Sequence, residues 1–260
     1  MAIDEYLETE LQNFQRMRTM PHYRELIPLL DSLYVEGIDL IPAASPPYFG
    51  RLLLVCHKSL LGAASLLLRL HPDDAGPVTR RSIEAALIAA AVKHDPANLA
   101  EWQSFEERTK RWDARQEGQK PKPLRPSITY PETEQVERLW SQLGMLSDAY
   151  VHFTPEFMLN LDWRNADVDD GTVSVHLNYF TKDRPQVERE MVTLAGVHSA
   201  TLDIFDTCYD RTFQANRRWA SLRRLLDIRG AQLASMLPRP SAPSDGDKTD
   251  TVDPRGQKGK

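Results

Sequence analysis

This sequence has little cysteine, no strong net charge and few signals for targeting. Two cysteines in 260 residues make no disulfide framework, and because Cys56 and Cys208 both lie in apolar helical patterns, we expect buried free thiols in a reducing compartment. A formal net charge of −5 gives no overall attraction to nucleic acid or anionic membranes. The acidic start lacks the basic and apolar blocks of a secretion signal. These absences predict a cytoplasmic protein.

The sequence also lacks the motifs of common catalytic centres. It has no His-Glu-x-x-His helix, no paired Cys-x-x-Cys and no cluster of histidines, so we expect no metal site. The run 167–171 resembles a calcium loop, but its glycine comes one place early, which favours a hairpin turn. A Gly-rich phosphate loop and a Gly-x-Ser-x-Gly elbow are absent as well. No cofactor is predicted, and phosphoryl transfer and serine hydrolysis are poorly supported.

The longest apolar stretch, residues 52–68, is the best membrane candidate. It is short for a span, and His57 and Lys58 interrupt it. We therefore expect a buried core helix and no membrane partner.

Apolar residues recur at helical spacing through most of the chain and predict a mainly α protein. We expect a bundle of about seven to eight helices, with one small β-hairpin inserted before the last two. The hairpin is predicted near 157–180, where apolar residues alternate around an Asp-Asp-Gly turn, and it should pack on the helices because an isolated hairpin is marginal. The predicted units are an N-terminal helical pair (1–37), a helical core (48–210), a basic amphipathic helix (211–237) and a disordered tail (238–260).

Arg80, Arg81 and Glu84 place three charges at the head of an Ala-rich apolar run. On a helix these residues can form an ion pair on one face, and the rest of that face is too small and apolar for open water. A structural clamp is one interpretation, since a buried charge needs a partner. The other is a ligand site, in which a free guanidinium binds a phosphate or carboxylate.

A second polar group lies at the end of a predicted helix, just before Pro155. His152 there is favoured as imidazolium by the helix dipole, so it could cap the helix or act as a general acid or base. Ser147 and Tyr150 on the same helix end are candidate ligand-binding residues.

Other polar residues interrupt apolar helices. His57 is either a satisfied core histidine or a catalytic acid or base, with Arg51 six residues before it. His198 lies alone on an apolar stripe and is expected to be a satisfied core histidine. The arginines of 211–237 either bind phosphates or form a solvated face or dimer rim, since Trp219 falls on the apolar stripe of that helix.

The Arg80–Glu84 group ahead of an apolar helix, together with residues 147–152, resembles a family of bacterial helical proteins of unknown function that looks related to the HEPN superfamily. The resemblance covers roughly residues 48–210 and implies a helical bundle. Many HEPN proteins are metal-independent RNases that use an arginine followed by histidine roughly four to six residues later. Arg51 to His57 fits this spacing, and so does Arg16 to His22.

Three functional hypotheses follow. The favoured one is a non-catalytic helical interaction protein, homodimeric through an apolar helix face, in the mobile-element or defence context that the resemblance implies. The alternative is an RNase in which His57 or His152 is the acid or base and Arg51 or Arg80 stabilises phosphate charge. The third is a nucleotide or anionic ligand at Arg80, Arg81 and Glu84. RNA, a nucleotide and a second copy are thus the expected partners, and the identity of any other protein partner stays open.

Overall fold

The computed structural model describes residues 2–103, 128–146, 166–169, 172–175, 180–181 and 184–237. This part of the chain is mainly helical, which confirms the predicted fold class at that level. The helices are α1 (Ile3–Met17), α2 (Pro21–Asp39), α3 (Pro47–Leu68), α4 (Pro72–His94), α5 (97–103), α6 (Glu134–Leu146), α7 (Arg184–Cys208), α8 (Thr212–Ala215) and α9 (Arg217–Met236).

Two short segments are assigned as strands, β1 (Ala166–Asp169) and β2 (Thr172–Val175), paired antiparallel with Ala166 opposite Val175. Most of the remaining range 157–180 lies outside the described residues. A hairpin packed on the helices therefore stays a prediction, as does the tail 238–260.

Proline and side-chain caps explain where several helices begin. Pro21, Pro47 and Pro72 each stand at the first helical position, where the missing N–H costs no hydrogen bond and the fixed φ suits a helix. Asn216 caps α9, because its side-chain oxygen accepts hydrogen bonds from the two backbone N–H groups that follow the first helical residue.

The buried side chains form one continuous cluster that runs from Met17 to Leu233. Helices α3 and α4 pack against each other, α7 packs on α2, α3 and α4, and α9 packs on α2. Cys56 and Cys208 are buried free thiols, as predicted. The division of the chain into the units 1–37, 48–210 and 211–237 stays a prediction.

Helix α3 is long and apolar enough to cross a membrane, and it is the one such helix in the described ranges. Half of its most apolar window is buried inside the structure, and it packs on α4 and α7. It therefore forms part of the helical core in this structure.

Candidate functional site

A chain of polar side chains crosses the core between α2, α4 and α7. The hydroxyl of Tyr34 lies 2.7 Å from Nδ1 of His198, and Nε2 of His198 lies 3.4 Å from Oγ of Ser82. Ser82 in turn donates to the backbone carbonyl of Cys56 at 3.4 Å. All four residues are fully buried, so no substrate reaches them.

The hydrogen bonds of this core network run in one direction. Burial raises the pKa of Tyr34 well above its usual value, so the phenol keeps its proton and donates it to Nδ1 of His198. Burial, with a smaller contribution from His57, lowers the pKa of His198 to about 3, so the imidazole is neutral and its one proton sits on Nε2, facing Ser82. Every donor in the core network then has an acceptor, and His198 is confirmed as a satisfied core histidine.

His57 lies beside this core network but belongs to a second pair. Its Nε2 is 2.7 Å from Oδ1 of Asp31, and because a carboxylate only accepts, the imidazole donates. Its ring stacks on Tyr34, with centroids 5.1 Å apart and planes 8° from parallel. The side chain of His57 is 15% exposed and that of Asp31 46%. His57 is therefore a carboxylate-oriented imidazole at the edge of the core that keeps some access to solvent.

Arg51 does not join His57. The two residues are six apart on α3, which places them about 120° apart around the helix and about 9 Å apart along it. Arg51 is exposed, whereas His57 turns toward α2. The spacing that carries the RNase resemblance thus does not bring both side chains to one point on this helix.

Arg80, Arg81 and Glu84 lie at the surface, which corrects the expectation that their face is closed to water. Arg81 and Glu84 are exposed, and Nε of Arg80 donates to Oε1 of Glu84 at 2.7 Å. The buried face of α4 is instead the one that carries Ser82 and Ile83. An exposed pair of this kind contributes little to stability, so a buried clamp is the wrong interpretation. Ser147, Tyr150 and His152 lie outside the described residues.

The arginines of α9 are largely neutralised by carboxylates from other helices. Arg223 binds Asp203 of α7 at 3.0 Å, and it also pairs with Asp227. Arg218 and Arg229 pair with two glutamates of α2, Glu36 at 3.2 Å and Glu25 at 3.4 Å. These contacts fasten α9 to the bundle and leave a weaker phosphate-binding patch than the sequence alone indicates. Arg217 and Arg224 are exposed and have no ion pair among the described residues.

Helix α1 packs on the bundle with a side that mixes polar and apolar residues. Glu10 accepts from Nε2 of His71 at 3.1 Å, Tyr6 stacks on Phe180 with centroids 5.2 Å apart, and Asn13 and Met17 are buried. The apolar stripe of α1 turns outward instead: Ile3 is 68% exposed, Leu7 52% and Leu11 57%. A helix that leaves three large apolar residues exposed along one stripe presents a candidate surface for a partner.

Helix α9 also carries exposed apolar residues. Trp219, Leu226 and Leu233 are buried, whereas Leu225, Ile228 and Met236 are exposed. We call the stripe Ile3, Leu7 and Leu11 the α1 outer face, and Leu225, Ile228 and Met236 the α9 outer face.

Sequence reasoning missed Asp31 and the orientation of α1. Asp31 is a lone acid within the apolar run 29–34, a pattern that signals a buried partner such as His57. No such signal exists for α1, because periodicity gives the apolar face of a helix but not what covers it. The described residues hold no group of three or more His, Cys, Asp or Glu side chains that could bind a metal ion.

Comparison with family models, with curated proteins and with solved structures finds no match to this chain.

Proposed function

We propose that this chain is a non-catalytic helical interaction module that associates with a second copy of itself through the outer faces of α1 and α9. The observation that carries the proposal is the exposure of Ile3, Leu7 and Leu11, three large apolar residues that follow one another at helical spacing on α1. Contiguous exposed apolar residues of this kind mark interaction surfaces.

A second copy fits these faces because their charges are complementary. Asp4 and Glu8 flank the α1 outer face and are exposed, and Arg217 and Arg224, which have no ion pair within the described ranges, lie beside the α9 outer face. In a two-fold dimer, α1 of each copy can lie on α9 of the other, so one contact forms twice and covers both stripes. Opposite charges at the rim then set the pairing and its orientation.

The molar mass in solution tests the association. Light scattering during gel filtration is expected to give twice the chain mass of 29.7 kDa for the wild type. The double substitution Leu7→Glu with Leu11→Glu is expected to give the monomer mass, because each change buries a carboxylate in the apolar contact. The matched control is Leu61→Glu, a leucine on α3 that is 46% exposed and should leave the dimer intact. A monomeric wild type at the highest soluble concentration contradicts the proposal.

The charge pairing has its own test. Arg224→Glu is expected to weaken the dimer, and Glu8→Lys in the same chain is expected to restore it, because the exchange re-creates opposite charges. If the α1 substitutions dissociate the dimer but Ile228→Glu does not, α1 pairs with another α1, and the role of α9 is refuted.

The finer features expected from the sequence belong to the same proposal. These are the HEPN-like fold with a small hairpin, a bacterial mobile-element or defence context, and a cytoplasmic location. The helical architecture of the described residues and the resemblance stated above support them.

An RNase is the second candidate, and the Asp31–His57 pair is the observation that favours it. A carboxylate fixes the imidazole by accepting from Nε2, which leaves Nδ1 to move a proton to or from a 2′-hydroxyl. Cleavage of mixed RNA in EDTA is the test. If this candidate is right, the wild type cleaves and a folded His57→Gln variant does not, while His94→Gln, which changes a surface histidine at the end of α4, has no effect. Absence of cleavage by the wild type refutes it.

A further inference from the structure

A cavity of about 310 Å³ opens beside the turn between α1 and α2. One wall is apolar, with Met17, Met20 and Leu70 each at least nine-tenths buried. The other wall is polar and basic. The lining residues are Arg16, Met17, Thr19, Met20, Leu70, Thr181 and Arg184.

The two arginines give this cavity a positive potential. Arg16 donates from Nη2 to the side-chain oxygen of Asn13 at 3.4 Å, and because that acceptor is neutral, no carboxylate of the described residues compensates its charge. Arg184 donates from Nε to Glu188 at 2.9 Å, which leaves its Nη groups to face another acceptor. None of the described lining residues carries a carboxylate. A planar guanidinium with unused donors is well suited to bind an oxyanion.

The adjoining start of α2 adds polar groups without partners. The residue before this helix, Met20, makes no side-chain cap, and the backbone N–H groups of His22 and Tyr23 donate no hydrogen bond within the described part of the chain. His22 is 5% exposed but does not line the cavity. The backbone N–H groups at this helix start, next to the lining residue Met20, are the ones that add donors beside the cavity.

We propose that this cavity binds a small organic phosphate monoester, with Arg16 and Arg184 on the phosphate and the carbon body against the methionines and Leu70. The cavity has room for about ten water molecules, which exceeds what a lone phosphate fills. An apolar body of the ligand covers the methionine wall, whose thioethers also favour an aromatic ring. The proposal does not rest on self-association, because neither arginine belongs to the α1 outer face.

Isothermal titration calorimetry with phenyl phosphate tests the proposal. Inorganic phosphate and phenol are the comparison ligands, at matched ionic strength. Phenyl phosphate is expected to bind more tightly than either, because each comparison ligand fills only one wall. Arg16→Gln and Arg184→Gln are each expected to weaken binding on the order of tenfold, since each removes a charge-assisted hydrogen bond.

Arg18→Gln is the matched control, because Arg18 is exposed, two residues from Arg16, and does not line the cavity. It is expected to change the affinity less than twofold. Circular dichroism confirms that each variant is folded. No heat of binding at millimolar phenyl phosphate overturns the proposal, and so does phenol binding as tightly as phenyl phosphate. Equal weakening by Arg18→Gln also overturns it, because it indicates general surface charge.

Discussion

Acid should destabilise this protein through His198, and the substitution His198→Gln isolates the effect. Glutamine keeps one acceptor for the Tyr34 hydroxyl and one donor for Ser82, but it does not titrate. The pKa of His198 is about 3 in the folded chain, against 6.5 when exposed. Between these two pH values the unfolded chain binds one more proton than the folded chain, so the free energy of unfolding falls as the pH falls. The contribution of His198 is complete above pH 6.5 and is lost as the pH approaches 3.

The magnitude follows from the size of the shift. A shift from 6.5 to about 3 at ~1.4 kcal/mol per pH unit gives a loss of up to about 5 kcal/mol. That is a large part of the stability of a typical domain. Carboxylates add to the acid sensitivity in both proteins, so the informative quantity is the difference between the wild type and His198→Gln.

Urea unfolding followed by circular dichroism at pH 7, 6, 5 and 4 measures that difference. We expect the wild type to lose stability faster than the variant by about 1 kcal/mol per pH unit below pH 6. Because glutamine keeps both hydrogen bonds, the two proteins should be similar in stability at pH 7, and the wild type should fall progressively below the variant as the pH falls. Parallel curves over the whole range would mean that His198 does not stay neutral in the fold and would refute the reasoning.

Further predictions concern single contacts. Tyr34→Phe should lower the free energy of unfolding by about 2 kcal/mol, because it leaves a buried ring nitrogen without its donor. The control is Tyr23→Phe, which removes a hydroxyl that has no partner in the described structure and should lower the free energy of unfolding by less than about 0.5 kcal/mol. Equal losses for the two variants in urea unfolding would contradict this prediction. Glu84→Ala should lower the free energy of unfolding by only about 0.3 kcal/mol, since the ion pair of Glu84 with Arg80 is exposed. A loss above about 2 kcal/mol would support the interpretation as a buried clamp instead. Asp206→Ala should cost about 2 kcal/mol, because this buried carboxylate accepts from two backbone N–H groups of α8, and thermal unfolding at pH 7 measures it.

The helices could be predicted from the sequence because their ends carry local signals. Prolines mark the starts of α3 and α4, and Asp95 and Pro96 follow the end of α4 at His94. The buried residues of α7, from Val187 to Phe205, recur at helical spacing around His198, as the apolar stripe in the sequence indicates.

The candidate site was less accessible to prediction, because it depends on which helices meet. Arg80 and Glu84 have the spacing of an ion pair whether their face is buried or exposed. Asp31 reaches His57 across a gap of 26 residues, a contact that no local pattern contains. For α1 the periodicity was right, but its apolar stripe faces solvent, since only tertiary packing decides which side of a helix is covered.

The contact between Trp219 and α2 has a consequence for synthesis of the chain. The indole Nε1 donates to the carbonyl of Leu33 at 3.2 Å, across 186 residues. At about 5–20 residues per second, α2 leaves the ribosome roughly 10–40 seconds before α9 is made. During that interval the apolar side of α2 that α9 later covers is open to other chains. A nascent chain of this protein is thus expected to need a chaperone to cover this side of α2 until its last helix emerges.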